Sequence, residues 1–133
     1  MQGAEGYELQ DSEITVWLRG LVGELDPSAD SVGVRFVDDA AMRQMNGRYR
    51  DRDATTDVLS FPGETTREGR HLGDILISVP AASRQAASAA HSTDLELRLL
   101  LLHGVLHCMG MDHEHDDGEM ARLESGLRER WVR

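Results

Sequence analysis

The chain has 133 residues, 40% hydrophobic and 29% charged, a balance that fits one globular domain over residues 1–133 and excludes a disordered chain. It carries 24 acids against 14 bases, all of them arginine, for a net charge of −10, so any nucleic-acid contact has to come from a local patch. The single cysteine, Cys108, excludes an internal disulfide framework and suits a reducing compartment. The longest apolar run, Leu99 to Leu102, is too short to span a membrane, and no secretory signal opens the chain, so the cytoplasm is the expected location.

Residues 1–11 read as a loose start with a short strand around Tyr7 to Leu9. Ile14, Trp17, Leu18, Leu21 and Leu25 recur at spacings of three and four, which predicts a helix that Pro27 stops. Val32, Val34 and Phe36 alternate with Gly33 and Arg35, the period of a half-buried strand. Met42, Met45 and Tyr49 predict a second helix that fails near Asn46-Gly47 and gives way to an Arg-rich loop. Thr55 to Phe61 reads as a strand, Pro62-Gly63 as its turn and 64–70 as a polar loop. Ile75, Leu76 and Ile77 in sequence predict that Leu72 to Val79 is a strand buried on both faces. Pro80 opens an Ala-rich helix to Ala90, and Thr93-Asp94-Leu95-Glu96 reads as a capping box. The helix it opens runs through Met109, is apolar almost all round, and stops at Gly110. A last helix from about Asp117 turns Met120, Leu123, Leu127 and Trp131 inward. This order predicts a small α/β or α+β layer fold with a long C-terminal helical part; the strand order is not legible.

His103 and His107 are four apart on that buried helix, so their rings share one face. After Gly110 the chain can reverse and bring His113 to the same point. Three neutral imidazoles leave a divalent ion's charge uncompensated and a fourth position open, where the pKa of a water falls from 15.7 to about 7. Unpaired buried imidazoles are costly, which favours one zinc per chain over three scattered core or surface histidines. His115 lies one residue too far on for a ligand, and Cys108 reads as a small buried hydrophobe. Asp112 reads equally as a turn acid or as a group orienting a ligand imidazole. The stretch matches the H-E-x-x-H-x-x-G-x-x-H pattern of zinc proteases except at Gly104, where those enzymes carry their general base. That departure disfavours peptide hydrolysis and favours phosphoester chemistry, whose leaving alkoxide needs a protonating acid less than an amine does.

His103-Gly104-Val105-Leu106-His107-Cys108-Met109-Gly110-Met111-Asp112-His113 also resembles the signature of the YbeY-type bacterial endoribonucleases. Two further blocks agree in order: Asn46 and Tyr49-Arg50 with Thr56 to Pro62, and Gly73-Asp74-Ile75 with Ile77-Ser78. The likeness covers roughly residues 31–125. It implies an α+β fold with a mixed four-stranded sheet packed with helices, the C-terminal helical part carrying the metal site. It implies a zinc ion on His103, His107 and His113, and a functional role for Arg50. The implied activity is single-strand-specific RNA cleavage in 16S rRNA 3′-end maturation and ribosome quality control. The implied partners are the 16S rRNA precursor and the small ribosomal subunit or its assembly factors, with no DNA.

The residues around Arg50 fit a phosphate contact. Arg43, Arg48, Arg50 and Arg52 against Asp51 make a basic island in an acidic chain, and guanidinium binds phosphate oxygens bidentately. A solvated helix end, with cations offsetting the dipole, is the plainer reading of the same arginines. Tyr49 fits a helix stripe better than a base-stacking platform. Thr56 to Phe61 is expected to line the cleft, with Asp57 or Ser60 fixing a loop and Asp74 bonding backbone or a ligand imidazole. His71 is expected in an exposed loop and His91 at a helix C-terminus. Two rival functions remain at this point: a metallopeptidase, and a non-enzymatic ribosome-assembly module with a structural metal.

Overall fold

The computed structural model describes residues 13–50, 57–111 and 118–132, so the strand expected at Tyr7 to Leu9 lies outside the described residues. Helix α1, Glu13–Leu25, buries Ile14, Leu18 and Leu21 of the predicted stripe together with Val22, while Trp17 and Leu25 are half-buried at its margin. Strand β1, Ser31–Val37, follows. Helix α2, Asp39–Arg50, starts where the Asp38 carboxylate accepts from the Ala41 N–H at 2.8 Å. It does not fail at Asn46-Gly47. A glycine costs about 1 kcal/mol in a helix interior, less than a fully buried Met42 returns by packing on the sheet. Arg50 therefore ends a helix and does not sit in a loop.

Strands β2, Val58–Pro62, β3, Thr65–Thr66, and β4, Gly69–Ser78, complete a mixed sheet in the order β1-β4-β2, with β3 pairing β4. β1 runs parallel to β4, from Ser31 opposite His71 to Val37 opposite Ser78. β2 runs antiparallel to it, from Val58 opposite Ile77 to Pro62 opposite Gly73. Pro62-Gly63 is not a turn, because the Gly63 N–H donates to Leu72 O at 2.9 Å and continues the ladder. Proline is tolerated here because β2 is an edge strand. The turn lies further on, between Thr66 and Gly69, where the expected polar loop forms a short hairpin instead. The β1–β4 register slips between Ser31 and Gly33, and Gly73 takes φ +155°. The slip lets Leu72 join Ile75 and Ile77 in one core despite their unlike parity.

Central β4 is buried on both faces, as its apolar run predicts. Ile75 and Ile77 pack with α1 and with a helix α4, Thr93–Cys108; Leu76 faces the other way, with Leu59, Val37 and Met42. Helix α3, Val79–Ser88, is capped by the Ser78 hydroxyl, which accepts from the Ala81 N–H. α4 is capped by Ser92 and not by Thr93, since the Ser92 hydroxyl is the one that reaches the Leu95 N–H. Glu96 therefore does not close a capping box; it accepts from His91 Nε2 at 2.7 Å, and His91, just past the C-terminus of α3 as expected, ties that end to α4. Helix α5, Glu119–Trp131, packs Met120 and Leu127 against Leu21, Leu102 and Leu106. Leu123 is 37% exposed and does not join the inward stripe; Glu124, one residue on, is turned toward α4 instead.

Arg84 and the Ser78 hydroxyl both donate to Asp39 and hold its carboxyl below the usual carboxylate range; Ser28 and Arg70 do the same for Asp26. A carboxyl lowered by folding contributes stability above its unfolded pKa, about 3.8 here, and loses it as pH falls through the folded value. The melting temperature is expected to fall as pH drops below about 4, and Asp39→Asn to flatten that fall. A pH series of melts checks it, and an equally steep fall in Asp39→Asn would refute it.

Candidate metal centre

The C-terminal half of α4 is pinned to the sheet. A Cβ added at Gly104 would lie 2.9 Å from Ile75 Cγ2 and 3.1 Å from Ser60 Oγ, so only glycine lets the helix approach this closely. Position 104 thus faces the sheet and has no room for a glutamate. Gly104→Glu is expected to cost more than about 3 kcal/mol through overpacking and an unpaired buried charge. A thermal melt reads it, and a parent-like Tm would refute the packing argument. Beside Gly104, Cys108 is buried and its thiol is pushed up to about 11, chiefly by burial and then by Asp74. It behaves as the small hydrophobe its sequence context predicts.

His103 and His107 flank that contact and are half-buried. Their Nε2 atoms lie 2.9 Å apart, with ring centroids at 4.4 Å and planes at 71°. The other ring nitrogen of His103, Nδ1, lies 3.1 Å from Glu124 Oε2. A carboxylate only accepts, so Nδ1 carries the proton and Nε2 presents its lone pair to His107. Two nitrogens at 2.0–2.1 Å on a tetrahedral ion are about 3.3 Å apart, so this pair fits a zinc ion after a shift of a few tenths of an ångström. Gly110, at φ +92°, ends the helix as expected. His113, Asp112 and His115 fall in 112–117, outside the described residues. Among the described residues no group of three or more His, Cys, Asp or Glu is placed to hold a metal.

The remaining expectations divide. Arg50 closes α2; the side chains of 48–50 and all of Asp51 and Arg52 lie outside the description. Asp57 accepts from Gln85 Nε2 at 2.8 Å, and its carbonyl accepts from the Ser78 N–H, so it ties β2 to α3. Among the described residues Asp74 bonds neither His103 nor His107. It lies 3.1 Å from His71 Nε2, while the Ser31 hydroxyl lies 2.7 Å from His71 Nδ1. His71 is therefore a residue of β4 and not of a loop; its side chain is partly exposed, as expected, and is engaged on both ring nitrogens. On the α2 side of the sheet, Met45, Phe61 and Leu76 floor an open groove of about 510 Å³, with Arg35 and Asp74 among its polar lining.

A family model described as Endoribonuclease YbeY matches residues 7–131. The chain belongs to the YbeY family. The YbeY match reaches beyond the 31–125 covered by the sequence motifs and takes in all of α1 and α5. The chain is 48% identical over 92 residues to an Endoribonuclease YbeY of Nautilia profundicola, covering 69% of this chain and 66% of that one. A Koribacter versatilis YbeY is 53% identical over 89 residues, covering 67% and 57% respectively. A Campylobacter jejuni YbeY is 41% identical over 113 residues, covering 85% and 82%. The chain thus spans less than two thirds of the first two of these relatives. The solution structure of TM1509 from Thermotoga maritima superposes with a TM-score of 0.55 at 26% identity, over 91% of this chain and 85% of that one. The expected α+β fold with its mixed four-stranded sheet is what the structure has. No helix among the described residues is long and apolar enough to cross a membrane.

Proposed function

We propose that the chain is a zinc-dependent, single-strand-specific endoribonuclease acting in 16S rRNA 3′-end maturation and ribosome quality control in the cytoplasm. The observation that carries this reading is the convergence of His103 and His107 through Nε2, on a helix whose sequence continues to His113, in a member of a family named for endoribonuclease activity. His103, His107 and His113 would hold one zinc ion per chain. When bound, the ion supplies Lewis acidity at the phosphate and activates the attacking oxygen. Arg50 binds two non-bridging oxygens of the scissile phosphate and offsets the charge that builds on them during cleavage. The small ribosomal subunit or its assembly factors deliver the RNA, since an acidic chain with one arginine island grips RNA weakly on its own.

The metallopeptidase reading loses its support at Gly104. Peptide hydrolysis of the matching pattern needs a glutamate there, and the packing against Ile75 and Ser60 leaves it no space. The test is cleavage of single-stranded RNA and of a peptide panel by metal-free and zinc-reloaded protein. RNA cleavage that appears only with zinc, and no peptide cleavage, is the expected result. Zinc uptake that raises the Tm with no RNA cleavage would overturn the enzyme reading in favour of an assembly module. Peptide cleavage would overturn it in favour of a peptidase.

A further inference from the structure

We propose that Glu124 is a positioning residue for His103. Its carboxylate keeps the imidazole proton on Nδ1, and so keeps the Nε2 lone pair turned to the point it shares with His107. The inference rests on the zinc reading above. It starts from an anomaly of pattern. Met120, Leu127 and Trp131 form the inward stripe of α5, and Glu124 stands four after the first and three before the second. An acid there is costly unless something claims it. What claims it is His103 Nδ1, across the interface from α4 and 21 positions back in the chain. Glu124 meets Nδ1, the ring nitrogen of His103 opposite the Nε2 that faces His107.

The chemistry follows from the inventory of protons. In water an unrestrained imidazole side chain favours the Nε2–H tautomer, which has no lone pair at Nε2. A carboxylate at Nδ1 reverses that preference, because it can only accept. With His103 Nε2 an acceptor, the 2.9 Å contact requires His107 to donate from its own Nε2 in the metal-free protein. One proton then occupies the position between the two rings, and a zinc ion takes the place of that proton. Because Met120 and Leu127 anchor α5 in the core, the carboxylate is held before any ion arrives.

The test uses the full chain, zinc alone, and two variants, Glu124→Ala and Glu124→Gln. Nitrogen-15 NMR of the metal-free protein reads the His103 tautomer, and competition with a chromophoric chelator reads zinc affinity. The parent is expected to show Nδ1–H at His103. Glu124→Ala is expected to move it mainly to Nε2–H and to weaken zinc by about 10–100-fold. Glu124→Gln keeps an accepting oxygen, so it is expected to hold the parent tautomer and to bind zinc within a few-fold. Nε2–H in the parent, or Glu124→Gln as impaired as Glu124→Ala, overturns the proposal; the parent tautomer decides it even where Glu124→Ala fails to fold. Parent affinity and tautomer in a folded Glu124→Ala overturn the proposal alone, whereas a parent that takes up no zinc overturns the zinc reading with it.

Discussion

His107→Ala is expected to lose zinc and RNA cleavage together, whereas its metal-free melting curve stays close to the parent's. His107 is half-buried near the end of α4, so alanine uncovers little apolar surface and raises helix propensity slightly. The stability lost is the share that zinc contributes to the folded state. At a free zinc concentration about 100 times the dissociation constant, that share is about 2.7 kcal/mol. Melts with and without zinc, metal content and cleavage of single-stranded RNA form one data set. The zinc-dependent rise in Tm has to vanish in the variant. A His107→Ala protein with full zinc and parent activity would refute the site.

Arg50→Ala makes the opposite pattern the expected one. Position 50 ends α2, where alanine is as good a helix former as arginine and a lost C-terminal cation costs about 0.3–1 kcal/mol. The Tm is therefore expected to stay within a few degrees. Zinc is retained, because a guanidinium has no lone pair to offer. Cleavage is expected to fall by roughly a hundredfold or more, the usual loss when a preorganised charge is removed from a transition state. Arg50→Lys is expected to recover only part, since a point charge cannot reproduce a two-pronged contact. Parent-rate cleavage by a folded, zinc-loaded Arg50→Ala would remove Arg50 from the mechanism.

The parts of the fold that could be read from sequence are those where local pattern and burial agree. α4 is apolar on nearly every side and ends at a glycine, and β4 is a continuous apolar run. The histidine pair follows from helical spacing alone. Where tertiary packing overrides local preference, the reading fails. Asn46-Gly47 looks like a helix end, but Met42 and Asn46 are both buried beneath α2. Pro62-Gly63 looks like a turn, and only the strand order shows that β2 lies at an edge where proline is harmless. β3 has two exposed threonines and no apolar pattern at all. Leu123 and Glu124 differ by one helical step of phase, and hydrophobicity points to the wrong one. The signal that was present is an acid at the fourth position after Met120, on a stripe that should be apolar.

The pairing of Ser31 with His71 spans 40 positions of chain, and the Leu102–Leu106 face of α4 is closed by α5 together with Leu21 of α1. Long-range pairing of this kind forms late, because the loop has to close before the contacts stabilise it. On a ribosome, synthesis proceeds from the N-terminus, so the sheet waits for residue 78 and the α4 face waits for residues beyond 118. A nascent chain halted short of α5 leaves Leu102 and Leu106 with α1 on one side and no cover from Met120 and Leu127, and Glu124 has not yet been made. On the proposed zinc reading, capture of the metal would then be the closing event of biogenesis, and the zinc content of a preparation would count finished molecules.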